Sequence, residues 1–504
     1  MATVIPISAT PVEGHNDGDD FLAYLASNPK TNLVSSSQDK EQFDSLTGAF
    51  NQRLYTSAMA IVTPTNAQAI SSAVTFARQY NIPVTARGGG HSYAAYGVGN
   101  GNAQGLVIDL SHFSNIQLKD DNRTVVVGGG VRLGDMALQL DEWGLAIAHG
   151  VCPFVGVGGH AAFGGFGYAS RAWGLTLDHI IALDVVMADG TYLQGLTREQ
   201  DPDLFWALCG AAPNFGIQTA YHFRAHEKPN NVVRVKYSYS NASPDMMTRA
   251  FLAFQAWGQE SSPPNLGLTA VIGGGGSFEI TGIYYGTGDA CKKLMAPFED
   301  KLPEGFSTEV DQAMSWIESL QALSHSQPLS TKGKTGFRDC FYAKSLMTPD
   351  SPNQLITTDA ALAFFTYLQK TATTTNWFVE IGLYGGAGSA INAVPLNQSS
   401  FAHRSSLLSF QMYASSKTYG NPYPEDGFDF VSGMYDALLN PMKEIWGTSY
   451  GAYVNYVDPS LTPDQVKTLY WGSQYERLST LRAKYDPTEV FKYPQAIRPS
   501  TSTT

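Results

Sequence analysis

The chain has 504 residues, of which 43% are hydrophobic and 15% charged, with a formal net charge of −12. That length exceeds what one core usually supports and predicts two domains of ordinary globular composition. The acidic balance argues against nucleic-acid and anionic-membrane partners, and no apolar run reaches the roughly 18 residues of a bilayer span.

The stretch Met1–Pro11 lacks the charged and apolar regions of a secretory signal, so the chain is expected to be intracellular or to have lost such a segment. Triplets at Asn122, Asn241 and Asn397 would accept glycans only after secretion. The cysteines (Cys152, Cys209, Cys291 and Cys340) are too scattered for a disulfide scaffold or a zinc site, and a Cys291–Cys340 bridge stays open.

Residues 1–50 read as polar and irregular, apart from a short helix over Asp20–Ala26. Ser57–Thr63 reads as a strand that Pro64 breaks, and Thr65 or Asn66 can cap the following helix. That helix carries Ile70, Ala73, Val74 and Ala77 on one face. Pro83–Arg87 is the next strand, so His91 arrives at the end of a β-α-β unit, where ligand loops belong. Strands at Leu106–Leu110 and Thr124–Val127 precede a helix reaching about Trp143. Asp178–Met187 turns at Asp189-Gly190 into Thr191–Leu193, and Asp201–Leu208 is a short helix.

From about residue 228 the pattern changes. Val233–Ser240, Ser277–Tyr285, Trp377–Tyr384 and Leu407–Ser415 read as long strands separated by helical stretches. They predict one broad antiparallel sheet with helices on one face and a site on the other. The tail ends in a helix capped by Thr462, with Pro463 at its first position and Val466, Leu469, Leu478 and Leu481 inward, until Lys484–Pro487 stops it.

Of the 49 glycines, 20 fall within residues 86–175. They form two phrases, Arg87-Gly88-Gly89-Gly90-His91-Ser92-Tyr93 and Gly150-Val151-Cys152-Pro153-Phe154-Val155-Gly156-Val157-Gly158-Gly159-His160. Bare backbone at this density predicts a phosphate or pyrophosphate held by N–H groups. No GxGxxG sequence occurs, which disfavours a Rossmann dinucleotide site.

A lone His or Cys is by default a core residue. The two phrases together, however, resemble the berberine-bridge branch of the FAD-binding, vanillyl-alcohol-oxidase-like family. The resemblance runs through Gly128–Gly134, Asp201–Leu208, Asn214-Phe215-Gly216-Ile217, Tyr453–Asp458 and Tyr485–Phe491. Within the family the chain looks most like the fungal oligosaccharide oxidases, on Ala402–Arg404, Pro422–Phe428 and Leu469–Trp471.

The resemblance implies an α+β flavoprotein with a PCMH-type FAD-binding domain and a substrate domain built on a large antiparallel sheet backed by helices. The implied division is 1–52 as an N-terminal segment on the FAD domain, 53–227 as that domain, 228–448 for substrate, and 449–504 returning to the FAD domain. It implies FAD bonded through both His91 and Cys152, which keeps the flavin in an open site and raises its reduction potential. Further implied cofactor contacts are Arg87, Gly88, Gly89, Gly90, Ser92, Tyr93, Val155, Gly156, Gly158, Gly159, His160, Gly167, Asn214, Gly216, Ile217 and Tyr453. Val155 falls at the oxygen gate, where valine goes with oxidases. Gln411 and Tyr93 are the implied substrate groups, and Tyr456 the implied base.

Hydride removal from an alcohol requires loss of the hydroxyl proton, and a tyrosine with an ordinary pKa of about 10 needs a helpful neighbour for that task. Three positions depart from the sugar-oxidase pattern. Gly382 stands where those enzymes carry a carboxylate, and Glu380, on the same strand face, is the candidate replacement. Val151 replaces a threonine, and an arginine expected before Asn214 is missing around Cys209.

The expected activity is an FAD-dependent oxidase acting on a hydroxyl-bearing carbon, a carbohydrate lactol first, and reducing O2 to H2O2. A secondary-metabolite alcohol oxidase or ring-closing enzyme, a flavin dehydrogenase using another acceptor, and a non-enzymatic carbohydrate binder are the alternatives. A small-molecule substrate and O2 are the expected partners of a monomer.

Overall fold

The computed structural model describes residues 17–501 except 29, 38 and 100–102, so the expectation of an irregular chain over residues 1–16 lies outside the described residues. Past Pro64, Asn66 caps the helix Ala67–Gln79 by accepting from the Ala69 amide, and Ile70, Ala73, Val74 and Ala77 are buried as their spacing predicts. The helix lies beside a four-stranded sheet ordered Leu33–Val34, Ala60–Val62, Leu106–Asp109, Val84–Arg87. A second, five-stranded sheet runs Ile116–Leu118, Thr124–Gly128, Gly216–Arg224, Ile180–Met187, Tyr192–Leu196.

The glycine loops emerge between these sheets and lock together. A Cβ on Gly89 would stand 2.3 Å from the Gly156 nitrogen, and one on Gly156 2.2 Å from the Gly89 nitrogen. Only bare backbone approaches so closely. His91 and Cys152 are thus carried by two loops that cannot drift apart.

The second half is a seven-stranded sheet ordered Ser307–Val310, Val232–Tyr239, Ser277–Tyr285, Leu266–Gly273, Asn376–Leu383, Ser406–Ser415, Phe341–Pro349, with every pairing antiparallel. The helices Pro244–Glu260, Thr358–Lys370 and Asp426–Trp446 cover one face, where Phe251, Phe254, Phe365 and Val431 meet Ile272, Val379 and Phe410 in one core. Alternation sends Thr269, Val271, Phe378, Glu380, Gln411 and Tyr413 to the other face, towards the glycine loops.

Several elements differ from expectation. The helix Lys40–Thr47 lies in the stretch read as irregular; it buries only Phe43 and Thr47, too little for a periodic signal. The single tail helix is interrupted. Pro463–Val466 passes into a π-turn over Lys467–Trp471, Gly472 takes φ 48°, and helix resumes at Tyr475–Tyr485. Val490 and Phe491 then pack into the core around Ile70, Val74 and Ile108. All four cysteines are free, so the Cys291–Cys340 bridge does not form. No helix among the described residues is long and apolar enough to cross a membrane.

Candidate active site

Between the glycine loops and the uncovered sheet face lies a cavity of about 770 Å³. Its wall brings together residues from almost the whole length of the chain: Phe50, His91, Cys152, Glu380, Gln411 and Tyr456 among them. Gly88, Gly89, Gly90, Ser92, Tyr93, Val155, Gly156, Gly158, Gly159, His160, Gly167, Gly216, Ile217 and Tyr453 line it too. Arg87 and Asn214 do not. Arg87 is ion-paired with buried Asp109. Asn214 is buried and ties the tail down, accepting from Tyr493 Oη at 3.1 Å and the Ile497 amide at 2.9 Å. Both side chains hold the loops rather than face the cavity.

His91 is stacked on Phe50, centroids 4.4 Å apart. Burial, reinforced by Arg132 and Arg87, pulls its pKa down to about 3, so its imidazole is neutral near pH 7 and keeps a free lone pair. Burial, then the Glu380 carboxylate, pushes Cys152 up to about 12, leaving a thiol.

On the sheet side, Glu380 sits beside Gln411 on the next strand and Val271 on the previous one. Burial raises its pKa from 4.5 to about 7. Gln411 Nε2 donates to Tyr93 Oη. Tyr93 stacks on Tyr456 with centroids 5.9 Å apart, and Tyr453 meets Tyr456 edge-on at 5.1 Å. Tyr453 is pinned, its Oη accepting from the Gly165 amide at 2.9 Å and the Phe166 amide at 3.2 Å. Burial and then Glu380 raise Tyr456 well above 10, so no neighbour pre-ionises it.

Position 382 is explained by a residue the sequence reading passed over. A Cβ there would lie 2.7 Å from Phe166 Cε1, so the Phe166 ring fills the space beside the Gly382 backbone. Phe50 and Asp339, which accepts from Tyr413 Oη at 2.7 Å, were also missed. Phe166 stood in view as the one aromatic within Gly164-Gly165-Phe166-Gly167, whereas Phe50 carried no local signal.

The wall suits a flavin nucleotide. No Lys or Arg is among its lining residues, so a pyrophosphate would rest on the backbone of the glycine loops. A methyl at Gly159 would meet nothing within 4 Å, and the buried Tyr96 hydroxyl on the wall has no protein partner. A neutral imidazole and a thiol in one cavity are both groups that can be bonded to a ring.

Residues 58–195 match the family described as FAD binding domain, and residues 452–498 the one described as berberine and berberine like. A xylooligosaccharide oxidase of Thermothelomyces thermophilus is 32% identical over 458 residues, covering 90% of this chain and 89% of that one. The chain belongs to the berberine-bridge-like FAD-linked oxidoreductases. Another curated relative is the FAD-linked oxidoreductase dpmaF of Metarhizium anisopliae, 33% identical over 90% of this chain and 86% of its own. Among solved structures, the glucooligosaccharide oxidase from Acremonium strictum, with its 6-S-cysteinyl, 8α-N1-histidyl FAD, superposes with a TM-score of 0.87 at 29% identity, covering 97% of this chain and 100% of that one. As a member of this family the protein is an FAD-dependent oxidoreductase, and its α+β architecture is the family's.

Proposed function

We propose that this flavoprotein is an oxidase that removes a hydride from a hydroxyl-bearing carbon of a neutral substrate, a carbohydrate lactol first, with O2 reduced to H2O2. His91 and Cys152 would hold the FAD by two covalent bonds. The observation that carries the reading is their convergence with Tyr456, Glu380 and Gln411 on a single cavity. Relatives named as oligosaccharide oxidases support the substrate class.

FAD supplies the acceptor for the hydride and the donor of electrons to O2. The chain's own task is the proton. Tyr456 carries no charge at rest, because burial and the Glu380 carboxylate both favour its phenol. Its hydroxyl therefore accepts the substrate proton only while passing its own onward. Glu380, with a pKa of about 7, is the acceptor matched to that transfer. Gln411 fixes Tyr93, whose ring holds the Tyr456 ring in place. Val155, on the cavity wall, is the residue that would gate O2.

A secondary-metabolite alcohol is the second reading, favoured by the Phe166 ring that stands beside Gly382 in place of a polar group. Peroxide release from a panel of oligosaccharides and neutral alcohols decides between them. Sluggish reoxidation by air in stopped flow would instead point to a dehydrogenase. For the tether, His91→Ala and Cys152→Ala are each expected to stay yellow after acid precipitation, and the double variant to lose its colour. A denatured wild-type chain with the bare polypeptide mass would overturn both bonds.

A further inference from the structure

The helix-covered side of the large sheet carries a second cavity, of about 330 Å³, that shares no lining residue with the first. It opens where the strand Leu266–Gly273 turns into Ser277–Tyr285 through four consecutive glycines, the longest such run in the chain. Gly275 and Gly276 take φ of 71° and 73°, which accounts for glycine there. Gly273 and Gly274 need another reason. Neither has a left-handed backbone; a methyl on Gly274 would meet nothing within 4 Å, and one on Gly273 only Ser277 Cβ at 3.9 Å. The fold does not demand bare backbone at these two positions, yet they form the cavity's open wall.

The rest of the lining has a definite chemistry. Met247, Ile272 and Leu368 are buried and line it from the apolar core. Trp377, tilted on Phe430 with centroids 5.7 Å apart, forms a side wall, and Thr371, Thr373, Thr375 and Gln369, whose Nε2 also donates to Ala242 O, bring hydroxyls and an amide. No charged side chain lines the cavity. The nearby Asp426 carboxylate is consumed by Thr373 Oγ1 at 3.0 Å and by the amide and hydroxyl of Thr374. An aromatic wall, hydroxyl and amide groups and an exposed glycine backbone, without charge, match a ring with an apolar C–H face and hydroxyls around its edge. The volume lies in the range of small-ligand sites, roughly 300–1,000 Å³.

We propose that this cavity is a second binding site for a neutral saccharide unit, separate from the redox site, that holds an oligosaccharide on the enzyme without oxidising it. The choice of a sugar over another neutral ligand rests partly on the oxidase reading above; the cavity itself does not. Its occupant uses Trp377 as a stacking platform and the Thr and Gln groups as hydrogen-bond partners, with the bare Gly273–Gly274 backbone letting the ring approach.

The test is a calorimetric titration of xylotetraose and of cellotetraose into the flavin-loaded Tyr456→Phe protein, in which turnover is suppressed. Two binding events are expected, one at the redox site and a weaker one that Gly274→Leu and Trp377→Ala each weaken at least tenfold. Gly274→Leu fills the open wall without backbone strain, so its effect does not depend on disturbed folding. In the otherwise wild-type enzyme both substitutions should leave kcat and KM for a short soluble substrate unchanged. A single binding event that survives both substitutions, two events that both survive them, or no binding of either sugar overturns the second site. Peroxide release from wild type is read separately: sugar oxidation without Trp377-dependent binding sinks the second site alone, and Trp377-dependent binding without sugar oxidation sinks the carbohydrate-oxidase reading alone.

Discussion

Glu380 and Tyr456 line the same cavity and make opposite demands on its charge. A charged Glu380 disfavours the Tyr456 phenolate, while burial disfavours charge on Glu380 itself. The pair is therefore suited to pass a proton along rather than to store a base, and that has measurable consequences. Tyr456→Phe should slow flavin reduction by roughly 10²–10⁴-fold, as for loss of a general base, with the flavin still attached in the denatured chain. Wild-type reduction should rise with pH through about 7 as Glu380 ionises, and Glu380→Gln should flatten that limb. The same shift acts on stability. A carboxyl whose folded pKa stands above its unfolded value of 4.5 favours the fold below that value and loses the advantage as pH rises through about 7. Glu380→Gln protein without flavin should then gain in melting temperature relative to wild type above pH 7 and not at pH 4; a gain of equal size at both pH values would remove the buried-charge argument.

Glu380 was legible because the family resemblance marked position 382 as a carboxylate site and the strand's period of two puts 380 on the same face; what stands beside it was not. Phe166 comes from a loop in the other half of the chain, and only the fold shows its ring against Gly382. A side chain at 382 must displace that ring. Gly382→Ala alone should cost about 1–3 kcal/mol in denaturant titration, as overpacking does, and Phe166→Ala should relieve part of it, so the two changes are non-additive. Additive losses would show that the ring moves freely. The strands reveal the same boundary between legible and hidden. Ser277–Tyr285 and Ser406–Ser415 were expected in nearly their observed positions, but Leu266–Gly273 and Phe341–Pro349 were not. Both are buried almost throughout, one face against helices and the other against the glycine-loop half, so polar alternation is absent. Gly267 adds close contact with the Tyr168 backbone, where a Cβ would lie 2.4 Å from its carbonyl oxygen. The glycine loops announced the cofactor pocket because bare backbone is itself a sequence signal. The aromatic contacts from Phe50 and Phe166 depend on tertiary approach and left no comparable mark.

The cavity exists only where the two halves of the molecule meet, so its geometry depends on what fixes them together. Arg171, just past the second glycine loop, is fully buried and reaches across the boundary. Its guanidinium donates to Gly385 O at 3.0 Å, Ser262 Oγ at 2.8 Å, Pro263 O at 2.8 Å, Leu266 O at 2.6 Å, Ser262 O at 2.9 Å and Ala387 O at 3.1 Å. Burial lowers its pKa to about 10, with Asp350 pulling it back, so it stays charged at neutral pH. Arg404 adds a bidentate pair to Asp178, at 2.9 and 2.7 Å. Replacing Arg171 by Met keeps much of the bulk but strips donors from several buried carbonyl oxygens at once, at about 1–3 kcal/mol for each left unpaired before relaxation or water entry. Lys should rescue little, because its ammonium offers three donors on a point and not a planar fork. Calorimetry of Arg171→Met should therefore show a lower midpoint and a split of one unfolding transition into two, as expected when an interface between domains loses its cooperative link. The flavin environment should respond at the earlier transition, because one wall of the cavity comes from each half. A single transition at an unchanged midpoint would mean that the Arg404–Asp178 pair and the apolar contact suffice to keep the cavity closed.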